Sequence, residues 1–268
     1  MNILRALPAL VMLLPCLGLF TGCQTGSTSN ASSSTTAAEV VPSNVLRIGV
    51  TPDAPPMVFK QAGQLTGFEI ELGKRLGEFL DRPVEFVELP WKDQMTSLQS
   101  GKTDIIMSSM SITTERRMLA AFSNPYMKVG QMMLVHRSEL HRYALGLPQP
   151  LPGTVGVQAG TVGEFLIESR FARSKRKSYR SIETAVSDLV NKSLASVVSD
   201  AQIVWYQAAL NESKGLAVVP RMLNEDFLGW PVRKQDTELH QKVNAFILQS
   251  QNDGSMNESI RRWMPLAR

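Results

Sequence analysis

The chain predicts an α/β fold made of two units of about 100 residues, each a mostly parallel sheet flanked by helices. Three observations carry this expectation. From Val45 onward, short β-branched runs alternate with amphipathic stretches. The 268 residues are 43% apolar and 19% charged, enough to build a sizeable core rather than a disulfide-stapled module or a disordered tail. That length suits two α/β units better than one large sheet.

Each element follows from its own residues. Leu46–Val50 and Val84–Leu89 read as strands, with Asp104–Met110 as a third. Between the first two, Phe68, Leu72, Leu76 and Leu80 recur every four residues, with Glu69, Glu71, Lys74, Arg75 and Glu78 elsewhere, which puts one apolar stripe on a helix. Strand, helix, strand in this order implies a right-handed crossover and a parallel pair. The second half repeats the theme: Thr154–Gln158, a helix from about Val162, the strand Leu194–Ser199, a helix from about Ala201, and Leu216–Val219. A third segment has a strand-like run, Phe227–Arg233, then a helix with Leu239, Val243, Phe246 and Ile247 on one face and a last turn with Ile260 and Trp263. It is too small to be a domain and must complete one of the two units; the pattern alone leaves open which.

Composition removes several classes of function. Lys and Arg total 28 against 24 Asp and Glu, a net +4 spread along the length, so no nucleic-acid surface is indicated. The two cysteines, Cys16 and Cys23, both lie in the first 23 residues, which leaves the rest without a disulfide, zinc cluster or cysteine nucleophile. His136, His141 and His240 lack metal-ligand spacing, and no His-Glu-x-x-His, Gly-x-Ser-x-Gly or Gly-x-Gly-x-x-Gly motif occurs. No metal, cofactor or catalytic residue is expected.

The N-terminus predicts export. Arg5 is the only charge before Glu39, and the apolar stretch Ala6–Leu14 continues past Pro15 through Leu17, Leu19 and Phe20. Residues 1–22 are expected to be a signal peptide, since a membrane span needs about 20 apolar residues without such interruption. Gln24–Ala38 is almost wholly Ser, Thr, Gly, Ala, Asn and Gln, and residues 23–43 read as a flexible tether. Leu19-Phe20-Thr21-Gly22-Cys23 resembles the bacterial lipoprotein cleavage box, with Phe20 where Leu is usual. The resemblance implies lipidation of Cys23 and a cell-envelope location; Gln24 leans towards the outer rather than the inner membrane.

Charged and hydroxyl groups cluster at the ends of the expected strands. Met107-Ser108-Ser109-Met110-Ser111-Ile112-Thr113-Thr114-Glu115-Arg116 places a run of hydroxyls before a helix that Thr113 or Thr114 can cap, with Arg116 in its first turn. Backbone N–H groups, Ser hydroxyls and a guanidinium at a strand end make a carboxylate receptor; the same residues also suit a plain cap with Arg116 paired to Glu115. Gly156-Val157-Gln158-Ala159-Gly160-Thr161 ends another strand, and Thr161-x-x-Glu164 has capping-box spacing. Asp200 closes Ser196-Val197-Val198-Ser199 at the carboxyl edge of a strand, where open α/β sheets hold ligands, though an isolated Asp there is also a common helix cap.

Taken in order, Leu46-Arg47-Ile48-Gly49-Val50, Gly67-Phe68-Glu69-Ile70-Glu71-Leu72, Leu98-Gln99-Ser100-Gly101-Lys102, Ser111-Ile112-Thr113, Glu115-Arg116, Phe122-Ser123-Asn124-Pro125-Tyr126, Gly156 to Thr161 and Asp253-Gly254 through Trp263 resemble the family 3 extracellular solute-binding proteins. These are the amino-acid receptors of bacterial ABC importers. The resemblance implies the two-lobe periplasmic-binding-protein fold, with lobe 1 at 44–129 plus 230–268, lobe 2 at 130–229, crossings near Met127–Gly130 and Leu228–Val232, and a ligand cleft between the lobes. It implies a monomeric receptor, not an enzyme, that hands an amino acid to an ABC permease in the inner membrane. Arg116 would bind the α-carboxylate with Ser109, Ser111 and the N–H groups near Thr161, and Asp200 would accept the α-ammonium. Ala54 stands where many relatives carry an aromatic ring and Thr51 where binders of basic amino acids carry an acid; with Trp91 as a pocket wall or a core residue and Gln158 as a polar contact, a neutral amino acid is expected. A ligand-sensing lipoprotein without transport is the alternative. A cyclohexadienyl-dehydratase-like enzyme fits less well, because Ile203 stands where such enzymes carry an acid.

Overall fold

The computed structural model describes residues 44–264. The signal peptide, the tether and the lipidation expected at Cys23 lie outside the described residues.

Two five-stranded mixed sheets organise the chain. In the first, Leu46–Val50 sits parallel between Val84–Glu88 and Ile105–Ile106, and the order continues antiparallel through Pro231–Val232 to Ala121–Phe122. In the second, Thr154–Gln158 lies parallel between Lys175–Tyr179 and Ser196–Asp200, followed by Gln131–His136 and Leu216–Val219, each antiparallel to its neighbour. Three neighbouring parallel strands per sheet agree with the expected crossovers; one strand in each, Pro231–Val232 and Gln131–His136, runs against the other four, which keeps both sheets mostly parallel but mixed. Two short strands, Met127–Val129 and Asp226–Leu228, pair with each other and run between the sheets as the two crossings. The second of these strands meets the expected crossing Leu228–Val232 at Leu228.

The helix Phe68–Leu80 forms as its stripe predicts: Phe68, Leu72 and Leu76 are fully buried. They join Leu46, Ile48 and Trp230 in the largest apolar cluster, which also takes Val243, Phe246 and Ile247 from the helix Thr237–Asn252 and Met256 from Ser255–Trp263. The C-terminal piece thus completes the first sheet's layer, resolving what the pattern left open. The second sheet has a cluster on each face, one around Leu189 and Val204 and one around Val157 and Phe171.

Several elements depart from expectation. Asp104–Met110 is a strand only over Ile105–Ile106. Beyond it the chain turns through Ser109, whose φ of 54° lies in the left-handed region that non-glycine residues rarely adopt. Phe227–Arg233 is broken into the crossing strand and Pro231–Val232. The strand Lys175–Tyr179 and the helix Ile182–Val190 are additional; the strand lies at the sheet edge with four exposed residues and carries no apolar alternation.

Candidate functional site

One narrow cavity lies between the two sheets. All eight residues singled out as ligand contacts line it: Ala54, Trp91, Ser109, Ser111 and Arg116 from the first half, and Gln158, Thr161 and Asp200 from the second.

Arg116 is placed by local chemistry. Thr113 caps the helix Thr114–Leu119, its Oγ1 accepting from the Arg116 N–H at 3.2 Å. The guanidinium then points back into the cavity, donating to the Ser111 carbonyl at 3.0 Å and, across the cavity, to the Gly160 carbonyl at 3.1 Å. It lies over the Trp91 ring, 5.2 Å from its centroid. No salt bridge joins Arg116 to Glu115 among the described residues, so the plain-cap alternative accounts for Thr113 but not for the guanidinium. Burial lowers the guanidinium's pKa, and Asp200, Asp226 and Glu115 act against that shift.

Asp200 occupies the N-cap position of the helix Ala201–Leu210, yet its side chain does not cap it. Its Oδ1 accepts from Gln131 Nε2 at 2.7 Å instead. Burial pushes its carboxyl up to about 6, with Asp226 adding repulsion and the Gln131 hydrogen bond and Arg116 opposing. Arg116 and Asp200 face one cavity from opposite halves without forming a salt bridge with each other.

Trp91 lines the cavity and is also partly buried. It packs against the small cluster of Leu98, Ile106, Met110 and Ala120, and its Nε1 donates across the cavity to the Gly160 carbonyl at 3.1 Å. Gly160 has a φ of 73°, and a Cβ there would meet Trp91 at 3.5 Å. Trp91→Phe keeps a ring over the guanidinium and removes that donor. At about 0.5–1.5 kcal/mol for one hydrogen bond, release of a bound ligand should quicken about 2- to 10-fold, measured by stopped-flow fluorescence. An unaltered release rate would show that this bond contributes nothing to holding the halves together.

The capping box expected at Thr161 does not form. Thr161 Oγ1 donates to the Gln158 carbonyl at 2.7 Å, and Glu164 accepts from the Gly160 N–H rather than from that of Thr161. Ser109 also differs from a simple ligand contact: its N–H and hydroxyl both donate to Glu69 Oε2, at 2.6 and 3.3 Å. Glu69 is fully buried and its Oε1 accepts from Tyr126 Oη at 2.8 Å and Trp230 Nε1 at 3.0 Å. Burial carries its carboxyl up to about 7 against these four donors. Tyr126 directly precedes one crossing strand and Trp230 closely follows the other, so one carboxylate ties the Ser109 turn to both.

The sequence reading missed Asp53. It lines the cavity and accepts from Gln158 Nε2 across it at 3.0 Å, while Gln158 Nε2 also donates to the Arg180 carbonyl at 3.1 Å. Thr51 lacks the acid whose absence suggests a neutral ligand, and its hydroxyl is engaged with Leu89 and Gln94. The cavity holds an acid nonetheless, two residues further on.

Two mixed α/β layers joined by a pair of strands, with a charged cavity between, define a two-lobe binding protein. Residues 46–266 match the bacterial extracellular solute-binding proteins, family 3, and the chain belongs to that family. It is 28% identical over 243 residues to the histidine-binding periplasmic protein of Salmonella typhimurium, covering 87% of this chain and 92% of the relative. It is 26% identical over 239 residues to the putative ABC transporter arginine-binding protein 2 of Escherichia coli, covering 87% and 93%. Among solved structures it resembles the ancestral amino acid-binding protein AncCDT-1, a precursor of cyclohexadienyl dehydratase, at 33% identity and a TM-score of 0.74 over 82% of this chain and 95% of that one.

Proposed function

We propose that the protein is an extracytoplasmic receptor that captures a free amino acid between its lobes and delivers it to an ABC importer. The single observation that carries this reading is the placement of Arg116 and Asp200 on opposite sides of one cavity. A zwitterion offers a carboxylate to one and an ammonium to the other, so closure is favoured only when both ends are present. The relatives named for histidine and arginine binding support an amino acid as the ligand class. Lobe 1 is taken as 44–129 with 230–268 and lobe 2 as 130–229. Lobe 1 carries Arg116, Trp91, Ser109, Ser111 and Ala54; lobe 2 carries Asp200, Gln158 and Thr161. The cavity is narrow because Arg116 and Trp91 both reach Gly160 across it, and a ligand enters by parting them. The protein is placed in the periplasm, anchored through lipidated Cys23 and acting as a monomer. Ile203 gives the cavity wall an apolar side chain unable to transfer a proton, which supports binding without catalysis.

A thermal-shift panel of the common amino acids against the purified protein tests this. A ligand at 100 times its dissociation constant stabilises by about 2.7 kcal/mol, and Asp200→Ala should abolish the shift. No shift with any amino acid would refute the assignment, and binding that survives Asp200→Ala but not Arg116→Ala would point to a carboxylate lacking an ammonium.

A further inference from the structure

If Arg116 and Asp200 take the two ends of a zwitterion, their charges are matched and Asp53 is left over. Asp53 sits on the short strand Asp53–Ala54, and its carboxylate faces the second lobe through the Gln158 hydrogen bond. No Lys, Arg or His lies within salt-bridge distance of it among the described residues; Lys60, on the strand that pairs with Asp53–Ala54, bridges Glu88 instead. Glu183, at the start of the helix that packs on this strand, adds negative potential rather than neutralising it. At this end of the cavity the Asp53 carboxylate and the Arg180 carbonyl share one amide donor, Gln158 Nε2. Burial, and then Glu183, raise the Asp53 carboxyl to about 6 against the hydrogen bonds from Gln158 and from its own backbone N–H, so the ionised form has hydrogen bonds but no counter-ion as the site stands.

An apolar ligand side chain would press against a charge with no counter-ion, which is costly in a closed cleft. A neutral amide could donate to Asp53 but would leave the charge standing. A cationic nitrogen group satisfies both the hydrogen bonds and the charge, and can take the Arg180 carbonyl as well. We infer that Asp53 is the side-chain specificity determinant of the cleft and selects an amino acid whose side chain carries a cationic nitrogen group. Thr51, two residues earlier, does not take this part because its hydroxyl is bonded to Leu89 and Gln94. The inference rests on the amino-acid receptor reading above and replaces the neutral ligand expected from Thr51 and Ala54.

Pairs of nearly isosteric ligands isolate the charge. Isothermal titration of the purified protein at pH 7.5 compares arginine with citrulline and lysine with norleucine. In at least one pair the cationic member should bind 10-fold or more tightly, and Asp53→Asn should shrink that ratio to within about threefold, a change of about 0.7 kcal/mol or more. Glu183→Gln should reduce the same ratio by a smaller factor. Neutral members binding as well as or better than cationic ones, or a ratio that survives Asp53→Asn, would overturn the inference while leaving the receptor reading intact. Failure of every amino acid, cationic or neutral, to bind the wild-type protein would overturn both.

Discussion

Replacing Arg116 by alanine should cost about 2–5 kcal/mol of ligand affinity, a weakening of about 30- to several-thousand-fold, because it leaves a desolvated carboxylate without its partner. The geometry explains why the loss is large. Within its own lobe the guanidinium is oriented by the Ser111 carbonyl and the Trp91 face, and across the cavity it meets the Gly160 carbonyl. Arg116→Lys keeps the charge but cannot reproduce a forked, stacked group, and should recover only a minor part. Isothermal titration of both variants checks this; an affinity within about threefold of wild type for Arg116→Ala would remove Arg116 from the site.

Replacing Glu69 by alanine should destabilise the fold by about 3 kcal/mol or more, since each buried donor left without an acceptor costs about 1–3 kcal/mol and Tyr126, Trp230 and the Ser109 N–H all lose theirs. Urea unfolding measures it, and a cost under about 1 kcal/mol would show that these donors find other partners. The carboxyl also carries a pH signature. Its pKa rises from 4.5 to about 7 on folding, so the fold prefers it protonated. Its contribution is fully present below 4.5 and is lost as the pH rises through about 7. Glu69→Gln should flatten that part of the stability profile between those limits.

Much of this architecture is legible because its signals are local. The stripe Phe68, Leu72, Leu76 forms a helix whatever surrounds it, and Thr113 finds the Arg116 N–H three residues away. What the sequence hides is set by partners distant along the chain. Asp104–Met110 has strand composition, but Glu69, from another element, captures the Ser109 N–H and turns the chain aside. Thr161 and Glu164 have the right spacing for a reciprocal cap, yet the Gln158 carbonyl and the Gly160 N–H compete successfully for them. Asp53 lies among prolines and reads as a turn residue; only Gln158, 105 positions later, marks it as part of the cavity. The helix Ile182–Val190 is different, since Ser181 and the stripe Ile182, Ala185, Val186, Leu189 announce it plainly.

The strand order also constrains the sequence of events in biogenesis. The second sheet draws on one uninterrupted stretch, Gln131 to Val219, and has all its strands as soon as that stretch has emerged. The first sheet is begun by Leu46–Val50 but closed by Pro231–Val232, and its core needs Trp230 and the two final helices. The half translated first is therefore finished last, and until then it offers open strand edges and bare apolar surface to anything that binds unfolded chains.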